Sequence, residues 1–389
     1  MKFKRIFLIV LDSLGVGATD DAANYGDTNA NTLGHIIEKT DPFIPNLKKI
    51  GFTDTLTLNN NEKTEAYYTI AKPYNTYKDS INSHYEMMGV ISNIPFKTFN
   101  NGFPAEMLDA IEKVTERRII GNKCCNNNID IINELGERQV NYGALIVYTS
   151  ADSDLQVAAH EDIIPVSKLY EYCERIRQIT IREEWRVGRV IARPFTGSPG
   201  HFKLSNAGRK DYSVKPNKKT ILNDLYNNKY NVIGIGKIND IFDKEGINKT
   251  IKATTNVEVI NKLTDIMEKK FTGLCMANLS DFDSIYGHMR DTEGYANALE
   301  ELDVEIPIIL NKLEMDDLLI ITADHGNDPT FEGNAHTREN VPIIIYSRSF
   351  TEPKKLDPFN TFANIGALIA ENFELDKPEI GTSILNNLK

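Results

Sequence analysis

Cysteine is scarce in this chain of 389 residues, which has four, at Cys124, Cys125, Cys173 and Cys275. No two stand in a CxxC spacing, which argues against the common zinc and dithiol redox motifs and fits free thiols in a reducing compartment. Long apolar runs are missing as well. The opening stretch MKFKRIFLIVLDSLGVG puts apolar residues after basic ones, but Asp12 breaks the run before a secretory h-region or a membrane span is complete. The expectation is a cytoplasmic protein that opens on a β-strand. Surplus positive charge is also absent: 44 Lys and Arg stand against 55 Asp and Glu, a net charge of −11, which disfavours nonspecific binding to nucleic acid or anionic membranes. An anionic small substrate would need a local basic pocket. There is no internal repeat and no long low-complexity tract.

What is present is an ordinary globular composition, 41% hydrophobic and 25% charged, so a sizeable core is available and general disorder is not expected. Strand-length apolar runs recur at RIFLIVL, ALIVYT, NVIGIG, GLCMANL, LLIIT and PIIIY, with helical patterns such as NVEVINKLTDIMEKK and TFANIGALIAENF among them. This alternation predicts an α/β fold with a mostly parallel sheet flanked by helices. Pro, Gly, Asn and Lys gather in PFKTFNNG and in VKPNKK, as they do in linkers. The chain then reads as a core from 1–97 and 217–389, with 98–216 as a smaller inserted α/β cap domain.

Ligands of open α/β sheets gather at the carboxyl ends of strands, so polar residues just after apolar runs are the candidates. Asp12 ends RIFLIVLD and precedes SLGVG, whose glycines permit a tight turn and close approach of backbone to an anion. NLSDFDSIYGH follows GLCMANL and offers Asp281, Asp283 and His288. TADHGND follows LLIIT and offers Asp324 and His325, with His336 further along the same loop. Singly, each of these is as readily a helix cap or a satisfied Asp–His pair. Together, carboxylate oxygens and imidazole nitrogens suit Mn²⁺ or Zn²⁺ better than the all-oxygen shells of Mg²⁺ and Ca²⁺. Such a set could hold two ions about 3.5 to 4 Å apart, which clamp the attacking and leaving oxygens of a phosphoryl group. For a nucleophile, KDSINSHYEMMG offers Ser80, after an acid and at the start of an expected helix whose amino end favours phosphate. The alternative for Asp79 or Ser80 is a plain N-cap. His84 reads as structural.

Seven segments in order then carry a resemblance over nearly the whole chain: FLIVLDSLGVG with NTLGHI, KDSINSHYEMMG, YTSADSDLQVAAHE, VGRVIARPFTGSPG with RKDYS, GKINDIF, NLSDFDSIYGHMRDTEGYANALEE, and TADHGNDPT with HTRENVP. They resemble the bacterial phosphopentomutase family of the alkaline phosphatase superfamily. The resemblance implies an alkaline-phosphatase-like core and interconversion of ribose 1-phosphate and ribose 5-phosphate, or their 2-deoxy forms, through a phosphorylated Ser80 primed by a sugar bisphosphate. It implies two Mn²⁺ ions, one held by Asp12, Asp324 and His325, the other by Asp283, His288 and His336, with Asp281 left in a supporting role. The middle segment resembles the cap that closes over the sugar phosphate, and Asp152, Arg193, Arg209 and Lys237 match positions of substrate contacts. By residue type alone, Asp152 could cap a turn and each cation could be a solvated charge. The chain departs from the family at Tyr77, Ser80, Ser83 and Tyr85, where the family has Gly, Thr, Gly and Trp, and at Ala335, where it has Asp. The lost glycines bear on the conformation of the nucleophile loop. The implied partner is a small sugar phosphate, neither nucleic acid nor membrane. Competing readings are a metal-dependent phosphatase, a phosphoglycerate-mutase-like enzyme, and a decayed sugar-phosphate-binding protein.

Overall fold

The stretch RIFLIVL is buried at all of its positions because it forms β1 (Arg5–Leu11), a central strand with parallel neighbours on both sides. The computed structural model describes residues 1–58, 64–92, 95–125, 127–150 and 152–389. The later strands are β2 (Tyr67–Ala71), β3 (Ile119–Cys124), β4 (Leu145–Thr149), β5 (Asp154–His160), β6 (Arg189–Thr196), β7 (Lys203–Leu204), β8 (Lys210–Ser213), β9 (Asn231–Ile235), β10 (Lys249–Ile251), β11 (Gly273–Leu279), β12 (Asp317–Thr322) and β13 (Val341–Tyr346). The chain divides into two compact units, Met1–Asn93 with Pro216–Lys389, and Ile94–Lys215.

In the first unit a sheet runs in the order β10-β9-β11-β1-β12-β13-β2. The five strands from β10 to β12 are parallel, and β13 and β2 are added antiparallel. The direction of β13 has a local cause: residues 323–340, which join it to β12, contain no helix, and a parallel return needs a crossover of that kind. At the amino end of β1 the buried Arg5 makes a two-pronged pair with Asp317 (2.7 and 2.5 Å) and donates to the carbonyls of Met267 and Lys269. Those bonds are what make a buried guanidinium tolerable beside apolar strands. Helices pack on the sheet by amphipathic faces. Asn256–Met267, for example, is capped by the Thr255 side chain and buries Val259, Leu263 and Ile266. Among the described residues no helix is long and apolar enough to cross a membrane.

The second unit holds a smaller mixed sheet, β3-β4-β5-β6-β7, with β8 also on β6. β3 and β4 are parallel, as are β5 and β6, while the remaining pairs are antiparallel. Helices Ala105–Thr115 and Val166–Ile179 contribute Met107, Ile111, Leu169 and Ile176 to one core. Helix Asn128–Tyr142 contributes Ile131, Ile132 and Leu135 to another, with Ile146, Tyr148 and Phe195.

Candidate metal centre

Strands β9, β11, β1 and β12 are successive neighbours, and just past their carboxyl ends lie Lys237, Asp283, Asp12 and Asp324. Sheet order thus gathers residues that are far apart in the chain. Asp12 follows β1 directly, its N–H donating to Leu279 O (3.2 Å). Ser13 then turns the chain with φ +75° and donates its N–H to Asp324 Oδ1 (3.0 Å). A left-handed serine is uncommon, and here the turn brings the β1 and β12 ends together. The glycines that follow serve an unexpected anion. A Cβ on Gly15 would lie 2.3 Å from Glu339 Oε2, and this buried carboxylate accepts from Gly17 N–H (3.1 Å), Thr32 N–H (2.9 Å) and Thr32 Oγ1 (2.7 Å). The anion that the glycine-rich turn approaches is the protein's own side chain.

After β11 the chain winds into a π-helical turn, Phe282–Gly287, which carries Asp283 and ends at His288. Single π turns of this kind frequently occur at functional sites. His288 Nε2 lies 3.1 Å from Asp283 Oδ2 and 3.3 Å from His336 Nε2, which is itself 3.4 Å from Asp283 Oδ1. His325 stacks on His336 with ring centroids 3.8 Å apart, and its Nε2 lies 3.5 Å from Asp324 Oδ2 and 3.6 Å from Asp12 Oδ1. The three imidazoles share one orientation. Each has Nδ1 against a backbone carbonyl, Asn334 O for His288 (2.7 Å), Gly326 O for His325 (3.1 Å) and Lys78 O for His336 (2.7 Å). A carbonyl only accepts, so Nδ1 carries a proton in each ring and Nε2 is the atom presented inward.

Asp12, Asp283 and Asp324 are all nearly fully buried. Burial and the facing Asp324 carboxylate push Asp12 well above the usual carboxylate range, against the pull of Lys237 3.8 Å away. For Asp283, burial is outweighed by His288 and His336, which hold it well below that range. Asp324 is lowered too, His325 and His84 overcoming its burial. Burial pushes His325 down to about 4, although Asp324 pulls the other way. One donor atom each from Asp12, Asp324 and His325 lie within 4.8 Å of one another, as do those of Asp283, His325 and His336. Asp324 Oδ2 has no hydrogen-bond partner among the described residues. Three buried carboxylates, an orphaned oxygen and three inward-facing Nε2 atoms fit divalent cations, which would neutralise the clustered charge and suit a mixed oxygen and nitrogen set.

The sequence pattern of the metalloenzyme superfamily matches residues 4–377. The chain belongs to the metalloenzyme superfamily. It is therefore read as a metal-dependent enzyme. Similar solved structures include the PH0037 protein from Pyrococcus horikoshii, at 14% identity and TM-score 0.49, covering 98% of this chain and 100% of that one. A phosphoglycerate mutase from Leishmania mexicana aligns at 13% identity and TM-score 0.48, covering 98% and 97%. A cofactor-independent phosphoglycerate mutase from Thermoplasma acidophilum aligns at 12% identity and TM-score 0.39, covering 94% and 99%. Identity this low says nothing of substrate.

In this metalloenzyme Ser80 opens the helix Ser80–Met87, capped by Asp79 through Asn82 N–H (2.9 Å). Its Oγ lies 3.0 Å from His325 Nε2 and 3.4 Å from Asp12 Oδ1. His84, fully buried on the same helix, donates Nδ1–H to Ser80 O (2.7 Å). Asp281 takes Asn256 N–H (2.7 Å) and so braces the start of the helix Asn256–Met267. Lys237 is the one candidate substrate contact in the first unit. The other three belong to the second: Asp152 pairs with Arg189 (3.1 Å), Arg193 donates Nε–H to Gln156 Oε1 (2.8 Å), and Arg209 grips Asp211 at 2.8 and 2.7 Å. Burial, helped by the neighbouring Arg209 charge, pulls Arg193 down to about 10.

Sequence reasoning passed over several residues that shape the centre. Glu86, buried on the helix Ser80–Met87, accepts from the N–H groups of Tyr74, Asn75 and Phe362 (2.9 Å each) and so ties down the loop before Ser80. Arg338 binds Asp21 (3.0 Å) and the carbonyl of Tyr77 (3.2 Å) on the other side of that loop. Asn327 donates to Asp283 Oδ1 (2.8 Å) and accepts from Arg290 Nη1–H (2.5 Å). The only signal for the last two was adjacency, Asn327 in DHGND and Arg290 two residues after His288.

Proposed function

We propose that this metalloenzyme is a phosphopentomutase that interconverts ribose 1-phosphate and ribose 5-phosphate, and their 2-deoxy forms, with Ser80 as the phosphorylated residue. The observation that carries the reading is the Ser80 hydroxyl, 3.0 Å from His325 Nε2 at the amino end of a helix and beside the carboxylate and imidazole donors. Asp12, Asp324 and His325 would hold one Mn²⁺ ion, and Asp283, His288 and His336 the other. Bound divalent ions supply polarisation of phosphoryl oxygens and activation of the attacking and leaving oxygens. The amino end of the helix Ser80–Met87 favours the negative charge of a phosphoryl group on Ser80, and the His84 bond to Ser80 O holds that residue in place.

In the first half-reaction a free hydroxyl of the bound sugar monophosphate attacks the phosphorus of phospho-Ser80. The bond from phosphorus to Ser80 Oγ breaks, and Oγ takes up a proton in place of the one the sugar hydroxyl loses. The resulting bisphosphate turns round and returns its other phosphoryl group to Ser80, so a sugar bisphosphate also primes the resting protein. Arg193 and Arg209 are the candidates for the phosphate that is not transferred. They are neighbouring cations, and the Arg193 partner Gln156 is neutral, so a phosphate dianion would relieve the repulsion that burial sharpens. Asp152 is assigned to a sugar hydroxyl and Lys237 to the transferred phosphoryl group.

The test supplies metal-free protein with Mn²⁺, a catalytic amount of ribose or glucose bisphosphate, and ribose 5-phosphate, and follows ribose 1-phosphate and inorganic phosphate in parallel. Isomerised sugar phosphate as the main product, dependent on the bisphosphate, supports the proposal. Inorganic phosphate as the main product replaces it with a phosphatase.

A further inference from the structure

Asp283, His288 and His336 come from the π-helical turn and from the irregular part of the loop before β13, neither of which belongs to the sheet. Something has to hold these two segments in register. Arg290 touches both. Its chain conformation is left-handed, φ +56°, between the π-helical turn and the helix Thr292–Lys312, and this reversal sends the guanidinium back across the centre's rim. There it donates through Nη1 to Gly287 O (2.9 Å) and to Asn327 Oδ1 (2.5 Å), through Nε to Gly333 O (2.5 Å), and through Nη2 to Ala335 O (3.1 Å).

Each acceptor stands next to one of the three side chains. Gly287 precedes His288. Asn327 passes the contact on to Asp283 Oδ1 through its Nδ2 (2.8 Å). Gly333 and Ala335 flank Asn334, whose carbonyl fixes His288 Nδ1 (2.7 Å), and Ala335 precedes His336. A guanidinium suits this task because its donors form a rigid planar fork that meets several acceptors at fixed angles, which a lysine ammonium does not. Arg290 itself reaches none of the inward Nε2 atoms in these contacts.

We infer that Arg290 is the positioning residue for the ion site of Asp283, His288 and His336, aligning all three without touching the ion, while the site of Asp12, Asp324 and His325 does not depend on it. The inference rests on the reading of these two triads as ligand sets. Partners that orient metal ligands in this way typically contribute about 10- to 100-fold in metal affinity. A merely structural arginine would lower overall stability and weaken both sites alike.

The experiment titrates metal-free protein with Mn²⁺, reading free ion by its electron paramagnetic resonance signal, for the wild type, Arg290→Ala and the milder Arg290→Lys, with urea midpoints measured alongside. The wild type binds two ions. In Arg290→Ala one ion keeps its wild-type affinity and the other weakens by about 10- to 100-fold, and Arg290→Lys weakens the same ion by less. Unchanged affinities at both sites, or equal weakening at both, overturn the inference while leaving the ligand sets standing. A wild type that binds only one ion overturns both.

Discussion

Asp12 and Asp324 follow β1 and β12, adjacent strands in the middle of a buried sheet, and a bond from the Ser13 N–H to the Asp324 carboxylate ties one end to the other. His288 and His336 have no such frame, and Asp283 stands in the π-helical turn beyond the end of β11 rather than directly on a strand: the three depend on that turn, a helix-free loop and the side chains of Arg290 and Asn327. One half of the centre is therefore fixed by strand register, and the other by polar clamps. The lesson is that the two halves should fail separately. A sheet-built site loses its ion only when a ligand is removed, whereas a loop-built site can also lose it through residues that never touch metal.

The largest effect belongs to the residue beside the sheet-built half. Ser80→Ala should lower the proposed mutase turnover by several orders of magnitude, because the atom proposed to bond to phosphorus is gone, and it should leave both ions bound. Ser80→Thr, which restores the hydroxyl, should remain active. Parallel kinetics and metal analysis check this, and loss of an ion from Ser80→Ala would show that the hydroxyl also holds the cage together. Next come the ligands. Asp324→Asn should remove the ion of the sheet-built half and His336→Ala that of the loop-built half, each leaving about one ion per chain. Equal loss of both ions in either variant would dissolve the distinction between the halves.

How much of this was legible in the sequence follows the same division. Asp12, Asp283 and Asp324 could be found because each comes just after an apolar run, and Ser80 because it stands at a helix start after an acid. The parallel core of the sheet was readable for the same reason. Arg290 and Glu339 were not, since their partners are backbone groups or residues tens to hundreds of positions away, and no local periodicity marks such contacts. The antiparallel β13 was also hidden, because PIIIY reads the same in either direction and only the missing crossover helix tells them apart. The glycines of SLGVG were noticed, but which anion they approach was not legible, as their partner Glu339 lies over 300 residues on.

Glu339 gives the third prediction. It joins the loop of the second half to the turn after β1, accepting from Gly17, Thr32 and Thr337. Glu339→Ala strands those buried donors and should cost about 2 to 3 kcal/mol of stability in urea denaturation, with the loop-built ion weakened more than the other. A change within error would mean that water replaces the carboxylate. The smallest effect has the opposite sign. Asp12→Asn removes one of the two facing buried carboxylates, so the metal-free protein should gain about 1 kcal/mol, while the Mn²⁺-loaded protein should be less stable than the wild type. A metal-free variant less stable than wild type would show that Asp12 is well satisfied without an ion.

The central claim is that the two halves together serve phosphoryl transfer through Ser80, and its most direct measurement is peptide mapping by mass spectrometry. Metal-free protein is incubated with a ribose or glucose bisphosphate, with and without Mn²⁺, and then chased with ribose 5-phosphate. One phosphoryl group is expected on Ser80, formed only with metal and transferred to the sugar in the chase. A phosphoryl group on Ser83, or none on the peptide that carries both serines, would contradict it.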